Sequence, residues 1–413
     1  MNASIDTRET KTPALPAELA AAYAADDFSH MTLPGWVYSN AEFFELEKEY
    51  LFLSNWMIVC HISEVPKVGD FATLRLLGER ALVIRGEDGE LRAFYNVCRH
   101  RASAVVQGKN GSCSTAGIRC PYHGWLYGLD GSLKAVPAEA SFPGLKKEAY
   151  GLKPLDIEVC LGFVFVRFRS VGPSVAERLA PYLPELAHYR LEEMVPCGEQ
   201  WNGDYDVDWK NVIDNYLEGY HVPAGHPGLY RLFGSRYDAE ARQGYVSRAM
   251  HWLRDKPSDN WSERHYQKLL PEVSHLPEDR RRAWSYYTLL PNLGLDLYPD
   301  MIDFFQLIPT GPGKCRVRGR SYRLPGSEQR KLKAAQFLNY RINSQVQRED
   351  DDLVRSVQAG LASESYSGGI LSEKEVCLRQ FHDMVRELLP VARLPEPPEP
   401  GSMWTLNDTL SKV

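Results

Sequence analysis

The 413-residue chain is long enough to bury a large core and to carry two domains. Its net charge of −6 and sequence pI near 6.0 exclude a strongly basic surface for nucleic acid or other polyanions. No apolar run approaches the roughly 18 residues that a membrane helix needs, and the N-terminus lacks a charged-then-apolar leader pattern. Eight cysteines form no dense disulfide framework. Six of them (Cys60, Cys113, Cys160, Cys197, Cys315 and Cys377) lack motif spacing and read as free thiols in the reducing cytoplasm.

In chain order, Met1 to about Asp27 is polar, alanine-rich and expected to be loosely ordered. Short β-strands follow at Phe71–Leu77, Ala81–Arg85 and Leu91–Val97, with Asp88-Gly89 as a hairpin turn. Trp125–Leu129 and Ser132–Val136 flank a second Asp-Gly turn, and Leu161–Phe168 reads as a buried strand. Ser174–Tyr189 looks helical. Trp209, Val212, Ile213, Tyr216, Leu217 and Tyr220 recur at helical spacing, which predicts an amphipathic helix over Asp208–Tyr220 ended by Pro223. Four strands are expected at Ser285–Leu290, Gly294–Tyr298, Phe304–Ile308 and Cys315–Arg323. Two long helices then span Ser327–Leu361 and Ser372–Leu389, the second opened by a Ser372…Glu375 capping box. The fold class is α+β, in four parts: an N-terminal arm (1–34), a small β-domain (35–170), a domain with a helix-flanked antiparallel sheet (171–392) and a C-terminal tail (393–413).

Two short patterns carry the chemistry. Cys98-Arg-His100 is answered, after nineteen intervening residues, by Cys120-Pro-Tyr-His123. Two thiolates and two imidazoles suit a [2Fe–2S] centre in which two histidines hold one iron, raising its potential to between about −150 and +300 mV. A structural zinc site also uses Cys and His, but the one-residue gap in the first pair is tighter than the usual zinc knuckle. The second pattern is Glu218-Gly-Tyr-His221-Val-Pro-Ala-Gly-His226. On a helix reaching Tyr220, Asp214, Glu218 and His221 share one face, and His226 folds back after Pro223. Two histidines plus one carboxylate make the facial triad of a non-haem Fe(II) oxygenase. An acidic run at Glu349–Asp352 lies far downstream; most such runs are solvated surface.

The cluster pattern, followed by Gly124-Trp125, resembles the Rieske domain of ring-hydroxylating-type Rieske non-haem iron oxygenases, and the likeness runs from about Gly35 to Leu389. Ala102 and Ser103 follow His100, so the extra cysteine pair of respiratory Rieske proteins is absent. The resemblance implies a Rieske β-domain with cluster loops over 98–125 and a helix-grip-like catalytic domain. It assigns Cys98, His100, Cys120 and His123 to the cluster, and His221 and His226 to mononuclear iron. The family's third ligand precedes a Val-Gln pair by several residues; here Glu349-Asp350…Val357-Gln358 points to Asp350, with Asp351 and Asp352 competing. Glu218 takes the place of the family's carboxylate that bridges the iron site to a Rieske histidine of a neighbouring subunit.

Glutamate at 218, with the Val357-Gln358 and Phe381-His382 strings, is similar to the α-only oxygenases of quaternary ammonium compounds. The implied activity is that of a terminal oxygenase component, with O2 as co-substrate, performing N-demethylation or hydroxylation of a betaine-like compound. Ring hydroxylation or O-demethylation of an aromatic acid is the alternative, and a Rieske electron-transfer protein without catalysis a distant one. No dinucleotide fingerprint follows a strand, so NAD(P)H serves only through a separate flavin/iron–sulfur reductase, with or without a ferredoxin. A homotrimer is implied, with no nucleic-acid or membrane partner. Trp252, Trp261, Trp284, Tyr286 and Tyr287 are candidates to hold an ammonium group by cation–π contact.

Overall fold

The computed structural model describes residues 28, 30–235, 237–270, 273–326, 329–366 and 368–412. The expected loose segment over Met1–Asp27 and the Ser327 start of a helix lie outside them. Three small antiparallel sheets build the first half. β1 (Met57–His61), β9 (Asp156–Cys160) and β10 (Phe163–Arg167) pair in the order β1-β10-β9. β2 (Asp70–Leu76), β3 (Glu79–Arg85), β4 (Leu91–Tyr95) and β5 (Asn110–Ser112) run β4-β3-β2-β5. β6 (Ile118–Arg119), β7 (Leu126–Tyr127) and β8 (Leu133–Ala135) form the third.

Both Asp-Gly turns close as their chemistry requires. Gly89 and Gly131 take φ of 83° and 80°, and each preceding aspartate accepts an amide two residues on. The strand expected to reach Val97 ends at Tyr95, because the buried Asn96 side chain binds Val105 and Val106 instead and turns the chain into the first cysteine loop. Phe71, Leu82, Ile84 and Phe94 pack with Val105, Val106, Ile118 and Trp125, so both cysteine loops rest on one apolar core.

The second half is one antiparallel sheet. β11 (Val195–Pro196), β13 (Tyr237–Gln243), β14 (Val246–Trp252), β15 (Ala283–Leu289), β16 (Leu293–Leu297), β17 (Ile302–Gly311) and β18 (Lys314–Arg323) lie in the order β11-β18-β17-β16-β15-β14-β13, and β12 (Trp201–Tyr205) also pairs with β18. Alternation decides its two faces. Leu293, Leu295, Leu297, Ile302 and Phe304 point into a core with Val175, Leu179, Leu186 and Tyr189. The intervening Gly294, Asp296, Asp303 and Phe305 face the other way. The 32-residue helix Arg330–Leu361 buries Ala335, Asn339, Ile342 and Val354 along one stripe. Among the described residues no helix is long and apolar enough to cross a membrane.

Several helices differ from the sequence pattern for local reasons. Ser174–Tyr189 splits into Val175–Leu179 and Leu183–Leu186 around Pro181. The helix expected over Asp208–Tyr220 spans only Trp209–Tyr216, since the Glu218 carboxylate captures the amides of Tyr220 and His221 and draws the backbone out of helix. Pro223 then sits in the first turn of a new short helix, Val222–Gly225, rather than ending the previous one. Ser372 and Glu375 do bond, Ser372 N–H to Glu375 Oε2 at 2.6 Å, but within a turn; the helix begins at Val376. The tail folds back as a helix, Met403–Leu410, with both end residues buried.

A fully buried cation ties the halves together. Lys210 Nζ lies 2.6 Å from Glu47 Oε1 and 2.6 Å from Asp208 Oδ1, among the rings of Tyr38, Phe43 and Trp209. This links the N-terminal helix Ala41–Glu47 to the helix that leads into the histidine segment. Lys210→Met leaves two buried carboxylates without their cation and is expected to cost about 3–5 kcal/mol. The readout is a lowered urea midpoint, partly restored by adding Glu47→Gln; an unchanged midpoint would contradict the role.

Candidate metal centres

The first candidate centre is built from two tight loops. Cys98 N–H donates to Ser103 O at 2.7 Å and Cys120 N–H to Trp125 O at 2.9 Å, so each loop closes on itself. Ala102 (φ 55°) and Gly124 (φ 74°) make the reversals. Both sulfurs are buried, His123 is exposed and His100 half-buried. The two imidazole centroids are 4.6 Å apart, and His100 stacks on Trp125 at 5.0 Å with an interplanar angle of 3°. Its Nδ1 is buried with no hydrogen-bond partner, as a nitrogen reserved for a metal would be. Tyr127 Oη accepts the Arg99 amide at 3.0 Å and lies 3.2 Å from Cys98 Sγ, so its own proton is free for the sulfur. Pattern reading did not single out Tyr127.

The second centre joins segments over a hundred residues apart. His221 Nε2 and His226 Nε2 face each other at 3.1 Å, and Asp350 Oδ1 lies 2.9 Å from the latter and 3.8 Å from the former. One ligand atom from each lies within 4.8 Å of the others. The far nitrogens are held from behind: His221 Nδ1 by Glu218 Oε1, and His226 Nδ1 by Glu349 Oε2 at 2.9 Å. Ionised carboxylates only accept, so both Nδ1 atoms carry protons and both Nε2 lone pairs turn inward. Burial pulls the His226 pKa down, but the bonds to Asp350 and Glu349 outweigh it and raise it. The buried Asp350 Oδ1 meets no well-aligned donor. These donors fit a divalent metal bound by two histidines and one carboxylate.

Helical geometry selects among the acids. Ile342, Val346, Asp350 and Val354 recur every four residues on the inward stripe, whereas Asp351 accepts from Gln347 at 3.0 Å and Asp352 is exposed. Glu349 is inward too, a role the sequence did not suggest. Asp214 is not brought to the histidines; it accepts from Tyr38 Oη at 2.5 Å and pairs with His382 Nε2 at 3.0 Å.

A cavity of about 210 Å³ opens beside the histidines. Its walls include Tyr205, Tyr216, Tyr286, Tyr298 and Phe305, and its carboxylates include Asp296 and Asp303. Of the aromatic candidates from sequence, only Tyr286 lines it. Trp284 and Tyr287 are buried and bonded to Tyr266 and Glu185; Trp261 is exposed on His265, and Trp252 donates to Asp279 O. Gly294 is needed because a Cβ there would lie 2.2 Å from the Phe305 ring. Burial raises Asp296 to about 7, despite its 2.5 Å bond from Tyr216, and Asp303 to about 6. Burial likewise lowers His251, on the cavity wall, to about 3, so it stays neutral.

A thiolate–imidazole β-domain, followed by a helix-covered sheet with a two-histidine–one-carboxylate centre, defines a two-centre redox metalloenzyme. Family comparison agrees part by part: residues 55–150 match the Rieske [2Fe-2S] domain and residues 192–390 the ring hydroxylating alpha subunit (catalytic domain). The carnitine monooxygenase oxygenase subunit of Acinetobacter pittii is 29% identical over 352 residues, 83% of this chain and 89% of that protein. The glycine betaine monooxygenase oxygenase subunit of Pseudomonas aeruginosa is 34% identical over 220 residues, 53% of this chain and 50% of that one. A solved quaternary ammonium Rieske monooxygenase, described for carnitine oxidation by gut microbiota, superposes with TM-score 0.74 at 25% identity, covering 87% of this chain and 95% of that chain. The chain belongs to the Rieske non-haem iron oxygenases, and its cofactors are a Rieske [2Fe–2S] cluster and mononuclear iron.

Two variants test the supporting contacts. Tyr127→Phe removes a hydrogen bond to a cluster sulfur and is expected to lower the midpoint potential by tens of mV in a dye-mediated titration. An unchanged potential would show that the phenol does not serve the sulfur. Glu349→Ala frees His226 Nδ1 and is expected to weaken iron binding about 10–100-fold in a chelator competition; wild-type affinity would contradict it.

Proposed function

We propose that the chain is the terminal oxygenase component acting on a quaternary ammonium compound, using electrons from NAD(P)H through a separate reductase. The observation that carries the reading is the convergence of His221, His226 and Asp350 on a cavity walled by aromatic rings and carboxylates. In this proposal Cys98, His100, Cys120 and His123 hold the cluster, and His221, His226 and Asp350 hold the iron. Boundaries at 35–170 for the Rieske domain and 171–392 for the catalytic domain accompany it, as do a cytoplasmic location and a homotrimer. Carnitine and glycine betaine, named for the relatives, set the substrate class.

Bound by these residues, ferrous iron, with an electron from the cluster, would supply the chemistry that activates dioxygen. The residues do the rest. Glu218 and Glu349 fix both imidazoles, and the ring faces of Tyr216, Tyr286 and Phe305 orient the substrate head. Overall, one O2, two electrons and two protons convert an N-methyl group to N-hydroxymethyl, with the second oxygen leaving as water. The hydroxymethyl ammonium then releases formaldehyde and a proton, leaving the tertiary amine. Where the attacked carbon is not on nitrogen, the same stoichiometry gives a stable alcohol. Glu218, bonded to His221, is also the group we propose to link the iron site to His100 or His123 of a second copy. The exposure of His123 and of Tyr220 is consistent with such a meeting.

The test is an anaerobic single turnover of reduced, iron-replete protein, with oxygen admitted alongside N-methylated ammonium compounds or aromatic acids. Formaldehyde or a hydroxylated ammonium product is expected in proportion to oxidised cluster. Asp350→Asn should abolish product while keeping the cluster spectrum, and Asp351→Asn should retain turnover. Product from aromatic acids alone would overturn the substrate class.

A further inference from the structure

We infer that the substrate is a cation carrying no carboxylate, its ammonium group seated toward the Asp296–Asp303 pair on the sheet floor. This rests on the quaternary ammonium reading and narrows it. In register across four strands, Tyr286, Asp296, Asp303 and Ser321 stand opposite one another and therefore project from the same face. Asp296 and Asp303 are direct cross-strand neighbours. Like charges so placed repel, and burial sharpens the repulsion.

Neither acid has a lysine or arginine beside it on the cavity wall; burial holds both above the usual carboxylate range, so the empty cavity favours a proton on the pair and a bound cation favours its release. Asp296 accepts from Tyr216 Oη at 2.5 Å and from Tyr298 Oη at 3.4 Å, neutral donors both. Asp303 is hydrogen-bonded by the Ser321 hydroxyl, again a neutral donor, and its buried Oδ1 has no hydrogen-bond partner. Both acids line the same cavity as His221 and His226, and no described residue lining it is lysine or arginine. A pair of buried carboxylates under ring faces, without a cation of its own, is complementary to a cationic ligand.

The same inventory disfavours a zwitterion. The amides on the wall, Asn215, Asn343 and Gln347, are neutral donors only; Asn343 already donates to Asn339 Oδ1 at 2.6 Å and Tyr298 Oη at 3.2 Å, and Gln347 to Asp351 at 3.0 Å. Around the histidines the structure adds further carboxylates, Asp350 and Glu218 on the cavity wall and Glu349 behind His226. A ligand carboxylate therefore meets like charge with no lysine or arginine to pair with.

The experiment is calorimetric binding of choline and of glycine betaine to the oxidised, iron-replete enzyme. The two share a trimethylammonium head and a two-carbon chain, and differ in a hydroxymethyl group against a carboxylate. Choline is expected to bind at least about tenfold more tightly. Asp303→Asn, which keeps shape and removes the charge, should collapse that preference through weaker choline binding while the cluster spectrum and circular dichroism stay unchanged. If that variant does not fold, the comparison on the wild-type enzyme decides alone. Glycine betaine binding as tightly as choline, or a preference untouched in Asp303→Asn, would overturn the inference and leave the ammonium reading standing. Binding of neither, with an aromatic acid bound and turned over, would overturn that reading and the inference with it.

Discussion

Two imidazole nitrogens 3.1 Å apart, with their lone pairs turned toward each other and toward a carboxylate, are unfavourable unless a cation stands among them. The protein enforces that arrangement from behind. Glu218 and Glu349 each take an Nδ1 proton, and neither histidine can relax by swapping tautomer without losing a charged hydrogen bond. A proton on His226 satisfies the cluster in part, which is why its pKa is raised against burial. A divalent metal satisfies it fully. Much of the surrounding structure follows from holding this geometry: the truncated helix that frees Glu218, the Pro223 turn that folds His226 back, and the register of the Arg330–Leu361 helix.

The same helix and sheet make the reaction chamber. β16 and β17 spend their leucine, isoleucine and phenylalanine side chains on one core and send Asp296, Asp303 and Phe305 to the other face, under the long helix that carries Asp350. The buried Glu47–Lys210–Asp208 cluster anchors the entrance to the histidine segment from the N-terminal side. Oxygen chemistry needs a site from which bulk water is restrained while a substrate C–H bond is held in place. Aromatic walls and a buried floor meet that need, and their charge distribution sets which substrates enter.

Legibility in the sequence varied with the range of the interaction. The Cys98…His123 spacing and the His221…His226 pair are local, and the structure brings each set together as the patterns led one to expect. The strands of the large sheet were readable from alternation, and the Asp-Gly turns from composition. Asp350 was harder, since a run of four acids offers no internal distinction; the stripe Ile342, Val346, Asp350, Val354 supplies it. The helix through Glu218 was overextended because its hydrophobic period continues to Tyr220, while the carboxylate that breaks it acts on its own backbone. Asp296 and Asp303 were missed altogether. An aspartate inside an apolar alternating strand is a visible signal, but its meaning depends on pairing with a neighbour whose register only the fold reveals. All the aromatic candidates but Tyr286 failed similarly: Trp284 and Tyr287 face cores, and Tyr216 and Phe305 join Tyr286 at the cavity.

Everything above requires that one chain hold a thiolate–imidazole cluster and a separate mononuclear iron. The decisive measurement is metal and acid-labile sulfide analysis of purified, iron-reconstituted protein. About three irons and about two sulfides per chain are expected, falling to about two irons with unchanged sulfide in His226→Ala. Zinc without sulfide, or an iron count unaffected by loss of His226, would contradict it.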